Sequence, residues 1–327
     1  MDKPLEIVLL LALPASGKSE VRKYLANVPS DSLSRDFHIG ETLQLDDFPY
    51  VHMMRRTDDE LGKLGKPRVF FQSGDKPFIN PKDWGTLIHL LNEDYRDLMA
   101  KKLIEADSAA ALLLQRIEAA GVKAGIARRL AVFDKEVTSR VSAALEKEAR
   151  AMLDEKRAAY PATFEGKTIV IEAARGGPHD SSMPLKAPFG YQYSIGQFDP
   201  EILKRASILY VWVTPEESRR KNTARTDPND PGSILHHGVP MDVMMNDYGC
   251  DDMDWLEKNS AVPGAITIES LNGRFNIPVG RFDNRVDKTS FLREDKKNWP
   301  KDKVDAVHNG LKSALDRLYS FRLAAKK

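Results

Sequence analysis

The chain has a single cysteine, Cys250, among its 327 residues. One cysteine excludes an intramolecular disulfide and disfavours a cysteine-based zinc site, as expected for a protein of the reducing cytosol. Basic and acidic residues nearly cancel, 49 against 48, so no strong field favours nucleic acid or an acidic membrane surface as a partner. No apolar stretch approaches the roughly 20 residues that span a bilayer. The sequence therefore predicts a cytoplasmic protein without a membrane partner, and it leaves a homodimer open.

The first segment, 6–12, is a continuous apolar run, which is typical of a strand buried on both faces of a parallel sheet. Further strands are predicted at 37–45, 168–171, 208–213 and 277–282. Helical spacing of apolar residues predicts helices at 19–26, 84–102 and 303–323. Strands separated by helices predict an α/β fold with a mostly parallel sheet between helical layers.

Two segments interrupt this pattern. Residues 101–157 lack proline and are rich in strong helix formers, with Gly121 and Gly125 as candidate breaks between two long helices. We therefore predict a helical insertion at 101–163 within a core made of 1–100 and 164–327. Residues 226–259 are rich in proline, glycine and aspartate and predict a mobile lid or loop.

The first apolar run leads directly into Ala12-Leu13-Pro14-Ala15-Ser16-Gly17-Lys18-Ser19, which follows the P-loop pattern G-x-x-x-x-G-K-[ST] with alanine in the first place. In such a loop, main-chain N–H groups and a helix N-terminus surround phosphates, the lysine reaches the β and γ phosphates, and the hydroxyl coordinates magnesium. Alanine is tolerated in the first position where φ is negative. The nucleotide-binding residues predicted from this segment are Leu13, Pro14, Ala15, Ser16, Gly17, Lys18, Ser19 and Glu20.

Carboxylates follow two of the predicted strands. Asp46 and Asp47 close the second strand, and Glu172 closes the run 168–171. Because the carboxyl ends of parallel strands border the ligand crevice, we expect these side chains near the phosphate loop. For Asp46 and Asp47, a helix cap or a turn is the competing interpretation.

In order along the chain, the phosphate loop, the segment Leu45-Asp46-Asp47-Phe48 and the segment Ile169-Val170-Ile171-Glu172 resemble the uridine kinase and phosphoribulokinase branch of P-loop kinases. The resemblance implies a P-loop NTPase fold, a three-layer αβα sandwich. It also implies that Asp46 is the general base and that Glu172 acts with Ser19 on Mg²⁺.

The segment 210–213 followed by 216–220 resembles the strand and arginine-bearing lid helix of nucleoside and nucleotide kinases. This resemblance makes Arg219 and Arg220 candidates for neutralising charge on the transferred group and Arg225 a candidate nucleotide ligand. The competing interpretation for each of these arginines is a solvated charge on the surface of the helix.

For the acceptor, we expect a site between the segment 46–56, the segment 78–84 and Arg175. Arg55, Arg56 and Arg175 are candidates for holding an acidic group, with Asp47 beside them. A plain turn is the competing interpretation for the loop at Arg175.

The sequence thus predicts a Mg²⁺- and ATP-dependent phosphotransferase that transfers the γ-phosphate to a hydroxyl or phosphate of a small-molecule acceptor. The alternative is a nucleotide-hydrolysing P-loop switch or regulatory ATPase that acts through its helical insertion. The chain has no N-K-x-D motif, which would indicate guanine specificity.

Overall fold

The computed structural model of the protein describes residues 3–225 and 238–325. Its six strands form one sheet in the order β2-β3-β1-β4-β6-β5, in which all neighbours are parallel except the antiparallel pair β5–β6. The strands are β1 Ile7–Leu11, β2 Glu41–Asp46, β3 Lys167–Ala173, β4 Ala206–Trp212, β5 Ala265–Ser270 and β6 Gly273–Asp283. The mostly parallel sheet of an α/β protein is thereby confirmed.

Helices cover both faces of this sheet, as a strand buried on both sides requires. They are α1 Lys18–Ala26, α2 Ser30–Phe37, α3 Phe48–Lys63, α4 Asp83–Ala100, α5 Ala109–Lys123, α6 Lys135–Ala158, α7 Gly190–Gly196, α8 Pro200–Arg205, α9 Pro215–Arg225, α10 Met241–Asn246, α11 Met253–Lys258 and α12 Lys301–Ala324. Successive β1 residues point to opposite faces, so Leu10 packs with α1, α2 and α12 while Leu9 packs with α4, α7 and α8. The architecture is consistent with three αβα layers.

The prediction of a strand over 37–45 was wrong in its first half. Phe37 ends α2, and His38 adopts a left-handed conformation with φ 54°, after which β2 begins only at Glu41. Phe37 and Ile39 are both buried in the layer beneath α12, so one apolar run spans a helix end and a strand start. The strand β5 was missed, because its outer half is exposed and its apolar signal is short.

The predicted insertion contains the two long helices α5 and α6, joined by residues 124–134. Gly121 lies inside α5, and Gly125, with φ 79°, lies in the connection. In this unit α5 packs against α4 and α6, and α6 packs against α3. The helix that follows Asp46 and Asp47 is therefore supported by the inserted helices.

Of the predicted lid, residues 226–237 lie outside the described residues. The part from 238 to 259 contains α10 and α11 and is fastened to the sheet by its aspartates. Asp252 accepts hydrogen bonds from the N–H groups of Tyr191 and Gln192 at the start of α7, and Asp251 accepts one from the hydroxyl of Tyr210 at 2.7 Å. Within the described residues, no helix has the length and apolar character needed to cross a membrane.

Candidate functional site

The predicted phosphate loop connects the central strand β1 to α1, at the carboxyl edge of the sheet. Ala15 and Gly17 adopt left-handed conformations with φ 54° and 105°, whereas Ala12 does not have a positive φ. Alanine therefore fits the first position without backbone strain. The loop residues from Ala12 to Ser16 are almost fully buried against the sheet.

Behind the loop lies the segment that follows β6. The side-chain amide of Asn284, itself fully buried, donates to the carbonyl of Ser16 at 2.7 Å and to the hydroxyl of Thr289 at 2.9 Å. A Cβ at Gly17 would lie only 2.5 Å from the Thr289 hydroxyl and 2.8 Å from the Asn284 amide. Glycine is thus required at position 17 by close packing as well as by its φ. The hydrogen bond from Asn284 to the loop was not predicted from the sequence.

The side chain of Lys18 lies over this loop, with Nζ 3.4 Å from the Ala12 carbonyl oxygen and only 8% of the residue exposed. Burial lowers the pKa of Lys18, while Glu172, Asp46 and Asp47 oppose that shift by their negative charge. The predicted lysine and the three predicted carboxylates therefore come together in one place, as expected from the parallel strands.

Asp46 and Glu172 are paired in register across β2 and β3. Arg22 of α1 lies beside both, with Nε 3.0 Å from Glu172 Oε2 and a guanidinium nitrogen 3.9 Å from Asp46 Oδ2. Burial raises the pKa of Asp46, and the adjacent charges of Glu172 and Asp47 raise it further. Asp46 also accepts a hydrogen bond from the N–H of Phe48 at 2.9 Å, so the turn interpretation applies to it as well.

The oxygen ligands at this edge suit a hard divalent cation such as Mg²⁺, which prefers hydroxyl, carboxylate and phosphate oxygens. Ser19 follows Lys18 at the start of α1, and Glu172 Oε2 is buried close to Arg22 without accepting a well-oriented hydrogen bond. Among the described residues, no three histidine, cysteine, aspartate or glutamate side chains converge as a metal site. The residues present therefore fit a cation that the phosphates of a nucleotide help to hold.

On the other side of Asp47 lies Arg175, whose guanidinium is 2.7 Å from the Asp47 carboxylate and 5.0 Å from the ring centre of Trp84. Both members of this ion pair are buried, with 2% and 7% exposure. Arg55 lies 3.8 Å from the ring centre of Phe71. The structure thus brings together Asp47, Arg175 and the segment 78–84, the three components of the predicted acceptor region.

Arg56 has different surroundings. Its guanidinium is 3.0 Å from Glu60 on its own helix and 3.0 Å from Glu148 on α6, so it joins α3 to the inserted helices. Arg220 also has a local partner: it pairs with Glu217 and leaves 60% of its side chain exposed. In this structure neither residue shares partners with the phosphate loop.

The remaining part of α9 is docked on the phosphate loop. The Ser218 hydroxyl, fully buried, donates to the Pro14 carbonyl at 2.7 Å. Arg219 pairs with Glu216 at 3.0 Å. Burial lowers the pKa of the Arg225 guanidinium, which lies within electrostatic range of Glu20 and Glu172. Ser218 was not predicted, since a buried serine in a charged helix carries no distinctive signal.

The loop after β6 is tied to α9 by a second buried contact. Lys221 Nζ, 3% exposed, is 2.9 Å from Asp287, which also accepts from the N–H groups of Thr289 and Ser290. The segment Asn284-Arg285-Val286-Asp287 departs from N-K-x-D only by arginine in place of lysine. The exact motif is absent, but its near match lies directly behind the phosphate loop.

Comparisons of the chain with protein-family models, with curated proteins and with solved structures found no match. The function of this protein must therefore be inferred from the site itself. That site consists of the predicted phosphate loop, a buried lysine, three carboxylates and a cluster of arginines at one edge of the sheet.

Proposed function

We propose that this protein is a Mg²⁺- and ATP-dependent phosphotransferase of the P-loop type with a small-molecule acceptor. The observation that supports the proposal most strongly is the convergence of buried Lys18 with Asp46, Asp47 and Glu172 beside the loop. A lysine for the phosphates, a carboxylate for the metal and a carboxylate for the attacking hydroxyl are the groups that phosphoryl transfer requires.

The sheet topology is compatible with this function. Strand β1 lies between β3 and β4, while the chain reaches β2 at one edge before it returns to β3. In open α/β sheets, ligands bind at the carboxyl ends of strands where the connections diverge to opposite sides. The loop after β1 occupies that position and precedes a helix N-terminus, which favours bound phosphate.

In the proposed reaction, the acceptor hydroxyl oxygen attacks the γ-phosphorus of ATP. A new O–P bond forms, the bond from the γ-phosphorus to the β–γ bridging oxygen breaks, and ADP leaves with that electron pair. Asp46 accepts the hydroxyl proton, and a raised carboxyl pKa suits such a base near neutral pH. Lys18, Arg219 and Arg225 neutralise phosphate charge.

Mg²⁺, held by Ser19 with Glu172, supplies charge neutralisation on the phosphate oxygens when bound. Arg22 positions Glu172 through its 3.0 Å contact and lies at the edge of the same cluster. The almost fully buried loop and the hydrogen bond that joins α9 to it would limit the access of water to the phosphates.

Calorimetry with Mg-ATP and a coupled assay of ADP release with a panel of hydroxylated metabolites test the proposal. Lys18→Ala should abolish nucleotide binding, whereas Lys23→Ala, on the same helix but bonded to the carbonyls of Arg293 and Glu294, should not. Asp46→Asn should keep nucleotide binding and lose turnover. Near-normal turnover of a folded Asp46→Asn protein would remove Asp46 from the role of base.

A second candidate is a nucleotide-hydrolysing switch that acts through the inserted helices. It is supported by the polar contacts that join α3, α4 and α6, in which Lys156 of α6 lies 2.6 Å from Asp94 of α4, and Asp94 in turn accepts a hydrogen bond from Tyr50 of α3. The near match to N-K-x-D makes GTP a required comparison with ATP in every titration. Hydrolysis that no metabolite stimulates but a protein partner does would favour the switch.

A further inference from the structure

Beyond Asp47, buried polar groups of both signs cluster at the start of α3 and after α10. Asp247 and Tyr248 are 4% and 9% exposed, and Arg175 is 2% exposed. The pKa of Tyr248 is raised by burial, and the side chains of Arg175, Asp247, Asp47 and Arg55 all lie within electrostatic range of its hydroxyl. These five side chains, which we call the acceptor cluster, therefore lie near one another around the Asp47–Arg175 ion pair.

Aromatic rings form one wall of the acceptor cluster. Trp84 packs edge-on against Tyr248 with ring centres 5.4 Å apart, and against Phe78 with centres 5.0 Å apart. Phe78 stacks on Phe71 with ring centres 4.4 Å apart, and the guanidinium of Arg55 lies over the Phe71 ring. Such a wall keeps the local dielectric low, so charges inside it interact strongly with a ligand.

The charges in the acceptor cluster are not balanced pair by pair. Asp47 and Arg175 neutralise each other. Arg55 donates to the carbonyl of Gly74 at 2.7 Å, but among the described residues no carboxylate lies within ion-pair distance of it. Asp247 likewise has no cationic side chain at ion-pair distance in the described part of the chain. Arg175 Nε is more than nine-tenths buried and has no hydrogen-bond partner among residues 3–225 and 238–325.

Uncompensated groups of this kind are costly in an empty protein and favourable where a ligand completes them. Half-buried Arg55 requires an anion, and its planar fork suits a carboxylate or a phosphate. The Asp247 carboxyl group and the Tyr248 hydroxyl can exchange hydrogen bonds with the hydroxyl groups of a polar molecule.

The acceptor cluster also borders the phosphate loop. Asp47 acts electrostatically both on Lys18 and on the Tyr248 hydroxyl, and it is adjacent in sequence to Asp46. A ligand held by the cluster would therefore present a hydroxyl next to Asp46 and the γ-phosphate. This inference rests on the function proposed above and concerns the identity of its acceptor.

We propose that the acceptor is a small hydroxylated acid, whose anionic group is bound by Arg55 and whose hydroxyl groups are bound by Asp247 and Tyr248. Arg175 holds Asp47 in place through its 2.7 Å ion pair. The shared chemistry is a hydroxyl near an anion, and the anion is either a carboxylate or a phosphate.

The test uses three probes with the same carbon skeleton: glycerol, glycerate and glycerol 3-phosphate. Each is titrated by thermal shift and tryptophan fluorescence against the whole chain saturated with Mg-AMPPNP, so that the phosphate loop is already filled. Both acids should bind at least about tenfold more tightly than glycerol, because a charge-assisted bond to Arg55 distinguishes them. Whichever of the two acids binds more tightly shows whether the anionic group of the acceptor is a carboxylate or a phosphate.

Arg55→Met should remove the preference for the acids, while Arg56→Met, the next residue of α3 with partners on Glu60 and Glu148, should keep it. Asp247→Asn should weaken the binding of all three probes without lowering the unfolding temperature of the free protein. Replacing a purely structural residue does not produce this combination.

The inference is overturned if glycerol binds as tightly as the two acids. It is also overturned if Arg55→Met and Arg56→Met lose the preference for the acids to the same extent. Failure to bind Mg-AMPPNP at all is a separate result, which would instead count against the proposed function.

Discussion

We expect Asn284 to position the phosphate loop, and replacing it with alanine should weaken nucleotide binding. A peptide unit is planar, and its C=O and N–H point in opposite directions. The Ser16 carbonyl is held by the Asn284 amide at 2.7 Å on the outside of the loop. The N–H of Gly17, in the same peptide unit, therefore points to the inside, where a phosphate would lie.

The size of the effect follows from the groups that Asn284→Ala leaves without partners. The Ser16 carbonyl and the Lys288 N–H, which donates to Asn284 Oδ1 at 2.7 Å, would both lose a bond. Each buried unsatisfied group costs about 1–3 kcal/mol, against roughly 5–15 kcal/mol of total stability, so the protein should still fold. Misalignment of one N–H donor to a phosphate should reduce affinity by about tenfold to a hundredfold.

The matched control is Asn92, another buried asparagine with the same bonding pattern but far from the loop in the fold. Its amide donates to the Gln197 carbonyl at 2.8 Å and accepts from the Asp199 N–H at 3.0 Å. Asn92→Ala should cost similar stability in urea unfolding and leave the calorimetric affinity for Mg-ATP unchanged. Asn284→Asp, which turns an acceptor toward the Ser16 carbonyl, should bind worse than Asn284→Ala. Equal affinities in the two alanine variants would refute the reasoning.

Three further predictions concern buried charges. Burial raises the pKa of Asp247 to about 7, so the folded chain retains a proton that the unfolded chain releases. The free energy of unfolding should therefore fall by up to about 4 kcal/mol as the pH rises from about 4 to about 7. Urea titrations at several pH values should show a weaker pH dependence for Asp247→Asn. The same pH dependence in both proteins would contradict this prediction. Burial and neighbouring charges raise the pKa of Asp46, so kcat/KM should begin to fall on acidification at a pH well above the ordinary pKa range of aspartate. A fall that begins only within the ordinary aspartate range would argue against Asp46 as the base. Lys156→Met should lower the free energy of unfolding in urea by about 1–3 kcal/mol, because Asp94 loses one of its two cationic partners while Arg116 stays 2.8 Å away. An unchanged midpoint and slope of urea unfolding would show that the Lys156–Asp94 pair contributes nothing to stability.

The tight connection between β1 and α1 could be predicted because its pattern is local. Eight consecutive residues carry that pattern, and the apolar run before it marks a strand buried on both faces, whereas phosphate binding by the loop stays a prediction. The same physics predicted the later strands of the parallel sheet, and with them the position of Glu172 and Asp46 at one edge. Within 37–45 the prediction of one continuous strand was wrong, because Phe37 ends α2 and β2 begins only at Glu41.

Contacts between distant segments were decided only by the tertiary structure. Asn284 supports a peptide 268 positions away, and no spacing rule connects the two. Arg55 and Arg56 are adjacent and alike in sequence, yet the turn of α3 directs one to Phe71 and the other to Glu148 on an inserted helix. Local patterns specify which residues can form a strand, a helix start or a phosphate loop. Which charges are left without a partner depends on packing between elements, because burial and distance are properties of the folded chain as a whole.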